Sequence, residues 1–180
     1  MKEFDILLVG IEASIALAGF AGVIATYQIN DVTRIRRGAV VALTAIVQYS
    51  LLAALVCAIP LILHTFGVQG ETLWAISSGI GAILLASMAY NSARSMRGAT
   101  TKKSSFLLYL LLQGLGALFV LANILNAFDL AFHREPGPLV VGIFHALSVA
   151  GINFSRLLLL PLWRIVREQE DANSKVTSQA

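Results

Sequence analysis

Six side chains able to bind ions, move protons or replace the hydration shell of a small solute interrupt long apolar stretches of this sequence. They are Glu12, Asn123, Asn126, Asn153, Arg156 and His145. A carboxylate and an imidazole can exchange a proton near neutral pH, and carboxamides can stand in for water around a solute. Ionisable groups inside an apolar span are costly. They usually face a bundle interior, a cavity or a partner.

Two readings stand for each residue. Glu12 lies about six residues into its stretch, about 9 Å deep at the 1.5 Å rise of a helix. It either bonds a neighbouring helix or the interface, or it handles ions. His145 lies at a similar depth in the last stretch. It is either a hydrogen-bonded structural histidine or the proton partner of Glu12. Asn123 and Asn126, about 7–12 Å deep, complete a candidate polar cluster on the same side. Arg156 lies near the opposite end. It either snorkels to headgroups along its aliphatic stem or lines a cavity with Asn153 and Gln48 or Gln113.

Other chemistry is missing its parts. The sequence has no HExxH, no CxxC, no phosphate-binding glycine loop and no Ser/His/Asp set of meaningful spacing. A haem held by two histidines would need His64 and His145 at matched depth, and His64 falls at the interface. No lysine falls within a span, so a retinal Schiff base has no anchor. The chain reads as a non-enzyme without metal or cofactor.

The elements that hold these residues follow from hydropathy. The chain has 180 residues, 57% hydrophobic and 13% charged, with a mean hydropathy of +0.79. A soluble domain carries about twice that charge. Five apolar stretches, roughly 6–29, 39–66, 72–93, 105–131 and 139–163, each exceed the ~20 residues that cross a bilayer. In lipid the backbone must satisfy its own hydrogen bonds, so they are read as helices of one all-α membrane bundle spanning 1–167. Residues 168–180 read as a polar cytoplasmic tail, frayed or disordered. Pro138 suits the first turn of the fifth helix, and Pro161 is expected to bend or end it.

The charges give an orientation. Arg34, Arg36, Arg37, Arg94, Arg97, Lys102, Lys103, Arg164, Arg167 and Lys175 fall on one side. Lys2 and Arg134 fall on the other. The positive-inside rule puts the N-terminus outside and the C-terminus in the cytoplasm. The net charge of +3 is thus a matter of topology and not of nucleic-acid binding. The lipid bilayer is the first partner, and the basic loops could engage anionic lipid or a cytoplasmic protein.

Packing has its own signature. Ser14, Ala18, Gly22 and Thr26 recur every four residues in the first helix, a small-residue stripe that lets two backbones approach. The segment Ile11–Gly22, IEASIALAGFAG, followed by Arg34, Arg36, Arg37, Pro60 and Trp74, resembles small bacterial polytopic membrane proteins with a Gly-Phe-Ala-Gly first helix. The resemblance spans about the first 80 residues. It implies a multi-pass protein of the bacterial inner membrane and no particular activity. Two functions remain open. One is an oligomeric channel or transporter-like bundle for an ion or small solute. The other is a non-catalytic membrane anchor or subunit. Five spans are few for a monomeric transporter, which favours a homo-oligomer if solute passes.

Overall fold

The computed structural model describes residues 2–29, 37–96 and 103–177. They form five long helices and one short 3₁₀ turn. Helix α1 spans Lys2–Ile29, α2 Arg37–Thr65, α3 Gly70–Met96, α4 Lys103–Ala127 and α5 Gly137–Thr177. Five segments within them, Glu3–Thr26, Val40–Thr65, Gly70–Arg94, Leu107–Ala127 and Gly137–Leu159, are long and apolar enough to cross a membrane. No strand occurs among the described residues. The expected five-helix bundle is therefore the observed architecture.

The helix ends have identifiable stops. After α2 the amide of Gly67 donates to the carbonyl of His64, and that of Val68 donates to Leu63. Gly67 has φ of +83°. This is the Schellman arrangement, in which a left-handed residue caps the last carbonyls. Helix α4 ends the same way, with Asp129 N–H donating to Asn126 O and Leu130 N–H to Leu125 O. There the left-handed position is taken by Asp129, φ +57°, which lacks glycine's freedom.

Two boundaries differ from the sequence expectation. The fourth span was expected to reach residue 131, but α4 stops at Ala127. Residues 128–136 form a loop that contains the 3₁₀ turn Phe132–Arg134. Phe128, Leu130 and Phe132 are apolar, so hydropathy runs on where the backbone has turned. At the other end, α5 passes through Pro161 and continues to Thr177. The polar tail from 168 is thus helical over most of its length. A proline removes one helical hydrogen bond but need not end a helix that is otherwise well formed. Residues 164–177 extend α5 about 21 Å beyond the apolar run that ends at Trp163. At its start, Val140 N–H donates to Pro136 O, which sets Pro138 in the first turn as expected.

Helices α2 and α5 carry the core. Helix α2 touches α1, α3 and α5, and α5 touches all four other helices. One buried cluster joins Leu7, Val56, Cys57, Leu139, Ile143 and Ala146. A second, nearer the other face, joins Ala21, Ile46, Ala150 and Leu157. Helix α4 is peripheral and leaves most of its span on the bundle surface.

Backbones approach where a glycine faces a side chain. A methyl group on Gly10 of α1 would lie 2.8 Å from Cys57 Sγ of α2. One on Gly81 of α3 would lie 2.8 Å from Leu139 Cδ1 of α5. Both partners are fully buried. Within the single chain, half of the expected stripe faces the bundle. Ser14 is buried and Ala18 half-buried, but Gly22 and Thr26 are exposed. Nothing lies within 4 Å of a Gly22 methyl position. The buried face of α1 runs through Leu7, Gly10, Ser14 and Ala21, so it shares Ser14 with the stripe and then drifts from it, because a helical face repeats every 3.6 residues and not every 4.

Candidate functional site

The polar residues fall into four places. The first lies where the loop 128–136 meets the ends of α3, α4 and α5. Asn126 is fully buried. Its Nδ2 donates to Ser78 Oγ of α3 at 2.8 Å and to the carbonyl of Glu135 at 2.8 Å. Its Oδ1 accepts from the amide of Glu135 at 3.1 Å. The side chain behaves as one more peptide group, closing the loop onto the bundle. Asn123, one turn earlier and also buried, donates to the carbonyls of Phe119 at 2.9 Å and Pro138 at 3.0 Å. The second bond ties α4 to the first turn of α5.

This latch holds a strained loop. Asp129, Phe132, His133 and Arg134 all have φ between 48° and 68°. An L-residue in that region costs about 1–2 kcal/mol. The carboxamides expected to face a solute path thus spend their donors on backbone geometry. The signal was available in the sequence: asparagine near a helix C-terminus, followed by Asp129 and Pro136, fits loop capping as well as a pathway.

The second place is the α4–α5 seam. His145 is half-buried. Its Nε2 lies 3.1 Å from the position a methyl on Gly116 would take. Its ring stands 5.1 Å from that of Phe119. Here the imidazole packs as an aromatic plate into a gap that glycine leaves.

The third place is the outer face of α1. Glu12 is exposed there and shares no hydrogen bond or ion pair with His145. The expected Glu12–His145 site is not formed within the chain. Position 12 lies on the α1 face turned away from Gly10, whereas His145 is turned toward α4. Residues seven apart share a helical face, so Gly19 stands on the side of Glu12. Nothing approaches within 4 Å of a Gly19 methyl position.

The fourth place is near the far end of the α5 span. Asn153 donates to Val149 O of its own helix at 2.8 Å. Arg156 is exposed. With Ser155, Gly151, Ser148 and Leu108 it lines an open groove of about 660 Å³ between α4 and α5. Gln113, considered earlier as its companion, instead donates to Ala89 O of α3 at 3.0 Å. His64, the other histidine a bis-histidine haem would need, has its ring 4.9 Å from that of Phe4, whose ring is also 6.2 Å from that of Trp74. His64 and His145 therefore occupy separate seams.

No family model, curated protein or solved structure matches this chain.

Proposed function

We propose that the chain is a subunit of a homo-oligomeric, multi-pass protein of the bacterial inner membrane that passes an ion or small solute at the seam between subunits. Glu12 carries this reading. Its carboxyl lies about six residues past Ile6, where the apolar run starts, about 9 Å along α1, on the exposed face of the span. A carboxylate at that depth is expensive in hydrocarbon and is normally turned to a partner or to water. The polar groups inside one chain favour the same view, because Asn123, Asn126 and Asn153 already donate to backbone or side-chain acceptors. A second copy against α1 would bring Glu12 out of lipid. The open Gly19 would let the two backbones come close. The charge distribution supports an outside N-terminus and a cytoplasmic C-terminus.

The test has two arms. Glu12→Gln keeps size and hydrogen bonding but removes the charge, and should abolish cation or proton flux into liposomes. Gly19→Leu adds bulk where the single chain has room, so it should dissociate the oligomer in mild detergent without lowering helicity. A monomeric parent protein, or full flux in Glu12→Gln, would defeat the reading.

The extended α5 favours a second reading. A helix that projects about 21 Å past its apolar run on the basic side suits a non-catalytic anchor or subunit docking a cytoplasmic protein. Removal of residues 164–180 should release such a partner and leave any flux intact.

A further inference from the structure

The groove between α4 and α5 is built unlike the rest of the bundle surface. It follows α5 from Ser148 to Leu159 and is walled on the other side by Leu108 of α4. The eleven helical rises between Ser148 and Leu159 measure about 16 Å, close to half of a ~30 Å hydrocarbon core. Its lining is mainly apolar, with Gly151 at its floor. A methyl on Gly151 would meet nothing within 4 Å, so the floor is open. Two of its three polar groups, Ser155 and Arg156, stand toward one end, and Ser148 stands at the other. The apolar run of α5 ends at Trp163, so Arg156 lies about 10 Å inside that end, within reach of its long side chain. That end lies on the side of the bundle where α4 begins at Lys103 and where the α3 span ends at Arg94.

We infer that this groove seats one anionic phospholipid of the leaflet on the basic side, with an acyl chain along Gly151 and Ser148 and the phosphate at Arg156 and Ser155. The lipid answers each feature of the groove. Its depth matches one leaflet. Its wall suits a hydrocarbon chain. Its mouth offers a guanidinium, which pairs with phosphate through a planar fork of donors, beside a hydroxyl donor. Basic pockets between membrane helices on the basic side select acidic headgroups in this way. Arg156 lies deeper than the loop cations, so its aliphatic stem runs along the groove while its head reaches the headgroup level. A zwitterionic lipid would fill the same wall but bring an ammonium group toward a cation. This inference is independent of solute passage, because the groove lies on α5 and α4 and not on α1.

The test is native mass spectrometry of the full chain in micelles doped with equal amounts of phosphatidylglycerol and phosphatidylcholine. The parent should retain about five-fold more phosphatidylglycerol, the selectivity expected of one basic residue near the surface. Arg156→Gln should erase the preference while keeping some lipid of both kinds. Gly151→Leu fills the floor without meeting another side chain, so it should reduce retention of both lipids with the fold intact by circular dichroism. Arg94→Gln, on the same side but outside the groove, should change nothing. Equal retention of the two lipids by the parent would overturn the inference. So would undiminished phosphatidylglycerol on Gly151→Leu, or loss of the preference in Arg94→Gln alone.

Discussion

Replacing Asn126 with alanine should cost the bundle about 2–3 kcal/mol. The side chain makes three hydrogen bonds, to Ser78 Oγ, to Glu135 O and from Glu135 N. Inside membrane proteins such bonds are worth about 0.6 kcal/mol on average and up to about 1.7, which sets a sum near 2. Ser78 is fully buried, so its hydroxyl loses its partner where no water replaces it, which adds to the cost. The loop supplies the remainder, because its four left-handed residues are held by this latch. Titration of the purified protein with a denaturing detergent, followed by helicity, measures the loss. Ser78→Ala removes one bond of the three and should cost about a third as much. Trypsin gives a local readout: cleavage after Arg134 should accelerate in Asn126→Ala. The reasoning fails if Asn126→Ala unfolds within about 0.5 kcal/mol of the parent and is cut at the parent's rate, since the carboxamide would then be a passenger in the loop.

Four further outcomes are expected. Gly81→Ala should destabilise the bundle by about 1–3 kcal/mol, because its methyl would press on the buried Leu139. Gly22→Leu should change the stability of the single chain by less than about 0.5 kcal/mol, and equal losses in the two variants would refute the assignment of faces on α1 and α3. Asp129→Gly should stabilise by about 0.5–1 kcal/mol in the same titration, since glycine takes the left-handed cap position freely, and a loss would mean that the Asp129 side chain holds the turn. A fluorescent reporter that matures only in the cytoplasm, fused to the C-terminus, should be bright, and a dark fusion with an active periplasmic phosphatase counterpart would invert the proposed orientation.

Hydropathy made the five spans visible because lipid leaves a helix no other way to satisfy its backbone. It could not show where α4 ends. Phe128, Leu130 and Phe132 are as apolar as the helix before them, and only the Asn126 latch and the left-handed Asp129 mark the turn. Nor could it show which face of a helix looks inward. In a soluble helix polarity marks the outside, but here Leu7 is buried and Leu8 exposed with the same chemistry. The face therefore had to be guessed from small residues. Gly22 was chosen over Gly10, although Gly10 is where α1 meets Cys57. Glu12, Asn123, Asn126 and His145 stand out in the sequence because an apolar span must accommodate each of them. Their depth was legible, but their direction was not, so a proposed cluster separated into a latch, an aromatic contact and an exposed carboxyl.

The contact of α5 with every other helix bears on how the protein is made. Segments enter the membrane in chain order, and α5 is synthesised last among the five. Before it arrives, α1 can pair with α2 and α3 with α4, since each pair is adjacent in sequence and already in contact. The two hairpins meet along α2 and α3, and Leu139, Ile143 and Ala146 of α5 complete the core between them. Asn123 and Asn126 likewise lack Pro138 and Glu135 as partners until the loop has left the ribosome. A nascent chain stalled before α5 is made would thus present two hairpins with an incomplete core and with Asn123 lacking its Pro138 partner, the kind of surface that insertion chaperones and membrane proteases recognise. Quality control of this protein would therefore be decided by its final span, and a nonsense mutation in α5 should lower abundance as severely as one in α2.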